Sequence, residues 1–306
     1  MQNNNDYKLN ERILCRLSFR KNPSLRGAAE EIGISSSKLR KKVAKMRKEK
    51  IILSWCLVIN PMSMQEQKIF FFLLKTNPNE PKVVTKLLEN YDLSKLSHLE
   101  GITGEYSLIG KFHFPNASEF LFSLDHLYKL VGETGFKKYQ LLEVIKVYKE
   151  QGIPCPETSK QLKSYEVKRL KKIQFFCHKT EFPPSTYQIA KKLGVSQPVI
   201  YRQLKNWKEE KVILGYSLHS SFWKNNYLHS YIQIKAPLGE YQSLINFCLQ
   251  NKRVINIYRT NQEYSLLLKT RHPNLADLNN FLKTTYQQAE VEDTLTRIVL
   301  DLLRDS

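Results

Sequence analysis

The stretch Ala29-Glu30-Glu31-Ile32-Gly33-Ile34-Ser35-Ser36-Ser37-Lys38-Leu39-Arg40-Lys41-Lys42-Val43 decides the fold, because it occurs twice. It returns without a gap 161 positions later, as Ala190-Lys191-Lys192-Leu193-Gly194-Val195-Ser196-Gln197-Pro198-Val199-Ile200-Tyr201-Arg202-Gln203-Leu204. Glu49-Lys50-Ile51-Ile52-Leu53 closes the first copy and Glu210-Lys211-Val212-Ile213-Leu214 the second. Pro23-Ser24 before the first copy matches Pro184-Ser185 before the second. A register this long marks an internal repeat, which has to be recognised before any local element is read.

Within each copy the local signals agree. Leu9, Ile13, Leu14 and Leu17 recur at helical spacing over residues 7–20, and Asn22-Pro23-Ser24 breaks that helix. A short helix, Leu25 to Ile32, ends at Gly33, which suits a left-handed cap and a tight turn. Ser35 then suits the N-cap of a third helix, Ser36 to Glu49. Its Leu39, Val43 and Met46 share one face, while Lys38, Arg40, Lys41, Lys42, Lys45, Arg47 and Lys48 occupy the rest. Ile51 to Ile59 follows as an apolar strand. In the second copy Ser164 to Cys177, Tyr187 to Leu193 and Gln197 to Glu210 repeat the three helices, with Ile200, Leu204 and Trp207 as the inward stripe. Pro198 fits a first helical turn, where its missing N–H costs nothing.

Helix, short helix, glycine turn and basic helix is the order of a helix-turn-helix, whose last helix enters the major groove by its N-terminal end. A lone charge run would read as a solvated face. The turn, the cap, the stripe and the repeat together point to double-stranded DNA. The expected contacts are Ser36, Ser37, Lys38, Arg40, Lys41 and Lys45 in the first copy and Gln197, Tyr201, Arg202 and Lys205 in the second. Cations there neutralise phosphates and give affinity without sequence. Base reading falls to side chains near the helix starts, where Arg suits guanine and Gln suits adenine.

The placement of charge fits this reading. The 306 residues carry a net charge of +19. Residues 1–66 and 151–223 hold +8 each, whereas residues 67–150 hold +1 and residues 224–306 hold +2. Two basic segments alternating with two near-neutral ones suggest polyanion binders carried on a different kind of domain. The five cysteines form no Cys-x-x-Cys and none sits close to two histidines, so they read as small apolar fillers in a reducing compartment. No apolar run reaches the ~18 residues of a membrane span, and residues 1–6 lack a signal pattern. The expected compartment is the cytoplasm. No catalytic constellation, metal cluster or cofactor motif stands out, and Glu30-Glu31 and Glu209-Glu210 read as solvated helix surface. The chain therefore reads as a binding protein and not an enzyme.

Outward from the repeats, the pattern changes. Lys68 to Lys75 is a Phe-rich strand; Pro81 to Asn90 is helical, with Val84, Leu87 and Leu88 expected inside. Lys95 to Glu100 and Glu105 to Phe114 are strands around Gly101 to Gly104, a hairpin signal. Ala117 to Leu130 carries a helical stripe of Phe120, Leu121, Leu124 and Leu127, and Tyr139 to Tyr148 is a last strand. The same β-α-β-β-α-β order recurs after residue 226, where Glu263-Tyr264-Ser265-Leu266 repeats Glu105-Tyr106-Ser107-Leu108 at an offset of 158. The order is ferredoxin-like. The expected class is α+β, with two winged or helix-turn-helix domains, 1–64 and 152–223, alternating with two βαββαβ domains, 65–151 and 224–306.

At Ala29 to Ser35, Glu49 to Trp55 and Thr103-Gly104-Glu105-Tyr106-Ser107-Leu108 the chain resembles the Lrp/AsnC family of bacterial and archaeal transcription regulators. Each half resembles one whole member: a helix-turn-helix, a linking strand and a ligand-sensing α/β module called RAM. The resemblance covers nearly the whole chain and implies a tandem HTH-RAM-HTH-RAM regulator, paired as an intramolecular pseudo-dimer or as a homodimer. It also implies an amino-acid-like effector near Gly104, Glu105 and Tyr106, although sheet packing and a hairpin exit account for the last two as well. The second half has Thr260-Asn261-Gln262-Glu263-Tyr264, without the glycine, and the family's usual Asp after the tyrosine is Ser107 or Ser265. Two other readings stay open. Siroheme decarboxylases resemble the same family, occur as paired or fused halves, and bind a tetrapyrrole between RAM-type sheets. Against them, His98, His113, His219 and His229 share no repeated position. The other is a transcription-factor-binding adaptor whose readers no longer contact DNA.

Overall fold

The computed structural model describes residues 4–18, 24–64, 68–77, 81–92, 95–180, 182–288 and 290–304. The expected break at Asn22-Pro23, and residues 19 and 20 of the expected first helix, lie outside the described residues. In order, the first half comprises α1 (Asn4–Leu17), α2 (Leu25–Ile32), α3 (Ser36–Lys48), β1 (Ile52–Ile59), β2 (Lys68–Leu74) and α4 (Lys82–Asn90). It continues with β3 (Leu96–Ile102), β4 (Leu108–Phe114), α5 (Ala117–Gly132) and β5 (Tyr139–Glu150). The second half runs β6 (Ile153–Pro154), α6 (Ser164–Lys179), α7 (Thr186–Leu193), α8 (Gln197–Glu209), β7 (Ile213–Ser220) and α9 (Ser221–Asn226). It ends with β8 (Leu228–Lys235), α10 (Tyr241–Gln250), β9 (Val254–Thr260), β10 (Leu266–His272), α11 (Leu275–Gln288) and β11 (Asp293–Arg304).

The like modules associate with each other. Residues 1–64 and 149–227 form one unit, and residues 65–148 and 228–306 the other. In the first unit β1 and β7 pair antiparallel, with Trp55 opposite Leu218 and Leu57 opposite Tyr216. The pairing crosses the halves, and so does the packing: α6 lies on β1 and α1 on β7. One core results, in which Leu39, Met46 and Trp55 of the first module meet Leu170, Ile200 and Trp207 of the second. The ribbon's ends are tied at both sides. Ser220 and Ser221 donate their hydroxyls to the carbonyls of Ile51 (2.6 Å) and Lys50 (2.7 Å). At the other end the Asn60 N–H donates to Val212 O at 2.8 Å, and the hydroxyls of Ser63 and Ser159 bond each other. Tyr227 donates its hydroxyl to Glu11.

In the second unit the two ferredoxin-like sheets share strands. The order is β2-β4-β3-β11-β8-β10-β9-β5, and β2 also pairs with β5, so eight strands close on themselves. Each module's last strand bridges to the other module: β11 pairs with β3 as well as β8, and β5 neighbours β9 as well as β2. Alternation along each strand sends one set of residues to the helices and the other to the interior of the closed sheet. Phe70, Phe72, Phe112 and Phe114 pack under α4 and α5, and Ile232, Ile234 and Leu268 under α10 and α11.

Two helix faces differ from the periodicity. On α4 the buried residues are Val83 and Leu87, with Val84 and Leu88 half-buried. On α5 they are Ser123, Leu127, Leu130 and Val131, while Leu121 is 59% exposed and Phe122 79%. Phe120 fixes this rotation by stacking on Phe70 with ring centroids 4.0 Å apart. Among the described residues no helix is long and apolar enough to cross a membrane.

Candidate functional site

Helix α3, the expected DNA-contacting helix, is set at its start by a turn and a cap. Gly33 adopts φ +78° and ends α2 in the left-handed region, which an L side chain enters only at a cost. Two residues on, Ser35 caps α3, its hydroxyl accepting from the Lys38 N–H at 3.2 Å. Gly194, at φ +67°, repeats the turn before α8, whereas Ser196 makes no side-chain cap there and Pro198 occupies the first turn.

The buried stripe Leu39, Val43 and Met46 turns the remaining face of α3 outward. Ser37, Lys38, Arg40, Lys41 and Lys45 are exposed and Ser36 is half-buried. The basic residues of α3 divide into two groups. Lys42 is held inward by Asp6 at 3.0 Å and draws that carboxyl below its ordinary value, and Lys45 reaches Glu49 at 3.6 Å. Lys38, Arg40, Lys41 and Lys48 make no ion pair among the described residues. No acid lies on α3 to neutralise them.

In α8 the same positions carry other chemistry. Val199 stands where α3 has Lys38, Tyr201 where it has Arg40, and Glu209 where it has Lys48. Tyr201 and Arg202 are exposed; Lys205 is exposed beside Glu209 at 3.8 Å. Gln197 donates its amide to the Thr186 hydroxyl at 3.4 Å, which ties it to the start of α7. Lys208 lays its ammonium 5.8 Å over the Tyr216 ring, and burial lowers it from its ordinary value. Charge in the second module has moved to Lys168, Lys171 and Lys172 on α6 and to Lys191 and Lys192 on α7, all exposed. Because β1–β7 joins the modules within one unit, the ten expected contact residues sit on two paired helix-turn-helix modules of one chain.

The expected effector residues form the β3–β4 hairpin. Gly104 has φ +100°. Exposed Glu105 pairs with Lys138, which lowers its carboxyl, while Tyr106 is buried. The hairpin leans on β11: the Thr103 N–H donates to Ile298 O, and the Ile298 N–H to the Thr103 hydroxyl, both at 2.9 Å. Ser107, standing where the family has Asp, accepts the Thr76 N–H at 2.7 Å. The second hairpin leans on β5 in the same way, through Asn261 and Glu143 at 3.1 and 3.0 Å.

Three groups escaped the sequence reading. His98 and His113, on the neighbouring strands β3 and β4, meet on either side of the Ser97 hydroxyl, at 3.1 and 2.9 Å. Inside the closed sheet Glu100 pairs with Lys269 at 2.8 Å and accepts the Tyr231 hydroxyl, while Lys111 donates to the Tyr258 hydroxyl at 2.9 Å. Lys111 and Lys269 are repeat equivalents, as are Glu100 and Tyr258, so aligning the halves would have exposed this cluster. Buried Arg297 lies over the Tyr106 ring at 5.7 Å and donates to Gln233.

Comparison with known proteins follows the same division. Residues 230–306 match the Lrp/AsnC ligand binding domain. An uncharacterised HTH-type transcriptional regulator of Pyrococcus abyssi is 29% identical over 119 residues, which is 39% of this chain and 81% of that protein. The HTH-type transcriptional regulator FL11 of Pyrococcus furiosus is 27% identical over 120 residues, 39% of this chain and 80% of its own length. Over the whole chain the fold is similar to that of the siroheme decarboxylase NirDL, with a TM-score of 0.62, 14% identity, and coverage of 97% of this chain and 92% of that one. At that identity the likeness speaks for the shared fold alone. Residues 230–306 thus match the Lrp/AsnC ligand binding domain, and over 39% of its length the chain is similar to HTH-type transcriptional regulators.

Proposed function

We propose that the chain is a sequence-specific, double-stranded DNA-binding transcription regulator with two unlike readers. The observation that carries this is the exposed, acid-free face of α3, with Lys38, Arg40, Lys41 and Lys48 outside any ion pair among the described residues, on a module joined to a second reader through β1–β7. Paired helix-turn-helix modules place their last helices in successive major grooves about one helical turn apart. Here Ser36, Ser37, Lys38 and Arg40 read bases from α3, and Gln197, Tyr201 and Arg202 from α8. Lys41, Lys45 and Lys205 bind phosphates. With α3 richer in charge, it contributes most of the affinity, and α8 contributes selectivity through hydrogen bonds.

The site is then two dissimilar half-sites. Selection from a random duplex library should return an asymmetric motif; a perfect palindrome would sink the two-unlike-readers reading, and no enrichment would remove DNA altogether. The RAM-type modules sense a small molecule, with Gly104, Glu105 and Tyr106 at the effector site.

A second reading has the whole-chain fold likeness in its favour: a tetrapyrrole enzyme of the siroheme decarboxylase kind. The paired His98 and His113 lend it some chemistry. Titration with an iron-uroporphyrin III analogue separates the two. A stoichiometric shift in the absorbance of the added compound supports the enzyme; an unchanged spectrum beside a shifted duplex supports the regulator.

A further inference from the structure

The closed sheet has twin positions whose chemistry differs. Arg297 on β11 sits opposite Tyr231 of β8; its twin Leu142 on β5 sits opposite Phe71 of β2. The neighbouring residues confirm the correspondence, since Ile298 is held by the Thr103 hairpin and Glu143 by the Asn261 hairpin. Two positions along, Gln233 is the twin of Leu73. One end of the sheet is thus lined by two leucines, 0% and 1% exposed, and the other by an arginine and a glutamine, 5% and 0% exposed.

The polar end has too many donors. A guanidinium offers about five N–H groups and a primary amide two. Arg297 spends one on Gln233 Oε1, and Gln233 Nε2 is buried without a protein acceptor. The nearby carboxylate, Glu105, is exposed and engaged by Lys138. Burial disfavours the charged guanidinium, and Tyr106 beside it and the Glu105 carboxylate, which forms no ion pair with it, compensate only in part. Buried donors of this kind call for an anionic acceptor that satisfies several at once, and the planar fork of Arg suits a carboxylate.

We propose that Arg297 and Gln233 form a carboxylate-binding site beside the 103–106 hairpin, one per chain, for a small organic acid. The site is single because its twin is Leu142 and Leu73. This rests on, and deepens, the reading of the hairpin as an effector site.

The test uses the full chain, acetate as probe and acetamide as the uncharged control, at fixed ionic strength. Carbon-13 line broadening and thermal melting are followed together. Expected is saturable acetate binding at one site per chain with a raised melting temperature, no response to acetamide, and at least about tenfold weaker acetate binding in Arg297→Leu. Gln233→Leu should weaken acetate less. In acetate-free buffer Arg297→Leu should melt no lower than wild type, because it removes a buried charge that lacks a carboxylate. A lower melting temperature, or failure to fold, would give Arg297 a structural role and overturn the proposal, as would acetate binding as tight as wild type in either variant. Equal binding of acetamide leaves the hairpin a ligand site but not a carboxylate site. Binding of neither, as expected if only water fills the donors, removes the carboxylate site and leaves the hairpin effector reading to other classes of small molecule.

Discussion

Replacing Arg40 and Lys41 of α3 by alanine offers a quantitative test, because counterion release converts phosphate contacts into a slope. Each phosphate neutralised on duplex DNA contributes about 0.9 to the fall of log K with log salt. Both side chains are exposed and make no ion pair among the described residues, and on a duplex that lacks the preferred bases the base-reading arginines lie against phosphates as the lysines do. Losing two contacts should flatten the slope by about 1.8. Between about 50 and about 200 mM salt, a fourfold change, that amounts to a difference of about twelvefold. The variant is therefore hurt about twelve times more at the lower salt. Lys42→Ala is the internal control, because Asp6 already holds that ammonium at 3.0 Å and its slope should barely move. In α8, Tyr201→Ala with Arg202→Ala removes one cation and should flatten the slope by about 0.9. Fluorescence anisotropy on a random-sequence duplex suffices, since the effect does not depend on base reading. An unchanged slope for the α3 pair would take that helix off the DNA. A Lys42→Ala shift as large as theirs would refute the division of the helix into paired and available cations.

Three further outcomes concern the fold. Burial pushes the Glu100 carboxyl up, but Lys269, His98 and the Tyr231 hydroxyl together pull it below its ordinary value of 4.5. A depressed carboxyl stabilises fully above its unfolded pKa and loses that stabilisation as pH falls through the folded one. Glu100→Gln should thus destabilise above pH about 4.5 and approach wild type in stronger acid, and a loss equal at every pH in urea titrations would disprove this. Gly33→Ala should cost about 1–2 kcal/mol in melting experiments, whereas Gly27→Ala, whose added carbon meets only Ser24 at 3.7 Å within α2, should be neutral or stabilising by up to about 1 kcal/mol. Met46→Ala, at a fully buried position, should cost about 2–5 kcal/mol. Because its core includes Trp207 and Leu170, calorimetry should show both readers unfolding in one transition, and independent melting would contradict a shared core.

The helix-turn-helix parts were readable because their signals are local. Gly33, Ser35 and the Leu39-Val43-Met46 stripe act within one or two turns, and the repeat doubled each of them. The α5 face was misjudged because several apolar residues compete along that helix, and the deciding contact, Phe70 on Phe120, comes from a distant strand. Composition and turn signals placed the strands but not the partner across the sheet, so β11 on β3 and β5 beside β9 were invisible. The same limit hid Glu100 with Lys269 and Arg297 with Gln233. In those cases a signal did exist: superposing the two halves sets Arg297 against Leu142 and Tyr258 against Glu100, and unlike chemistry at twin positions marks where the halves have parted.

Because β1 and β7 belong to one polypeptide, their pairing is a first-order event. Tethered partners see each other at an effective concentration on the order of millimolar or above, however dilute the protein. Two helix-turn-helix modules therefore remain together at copy numbers where separate subunits would dissociate. Heredity is affected as well. In a dimer of identical subunits every substitution appears twice, so an improvement on one side is imposed on the other. With both halves in a single gene, Lys38 can stay a cation while Val199 becomes apolar, and Arg297 can appear without a second arginine at Leu142. Fusion of the ribbon's two strands into one chain is what permits a symmetric architecture to carry asymmetric chemistry.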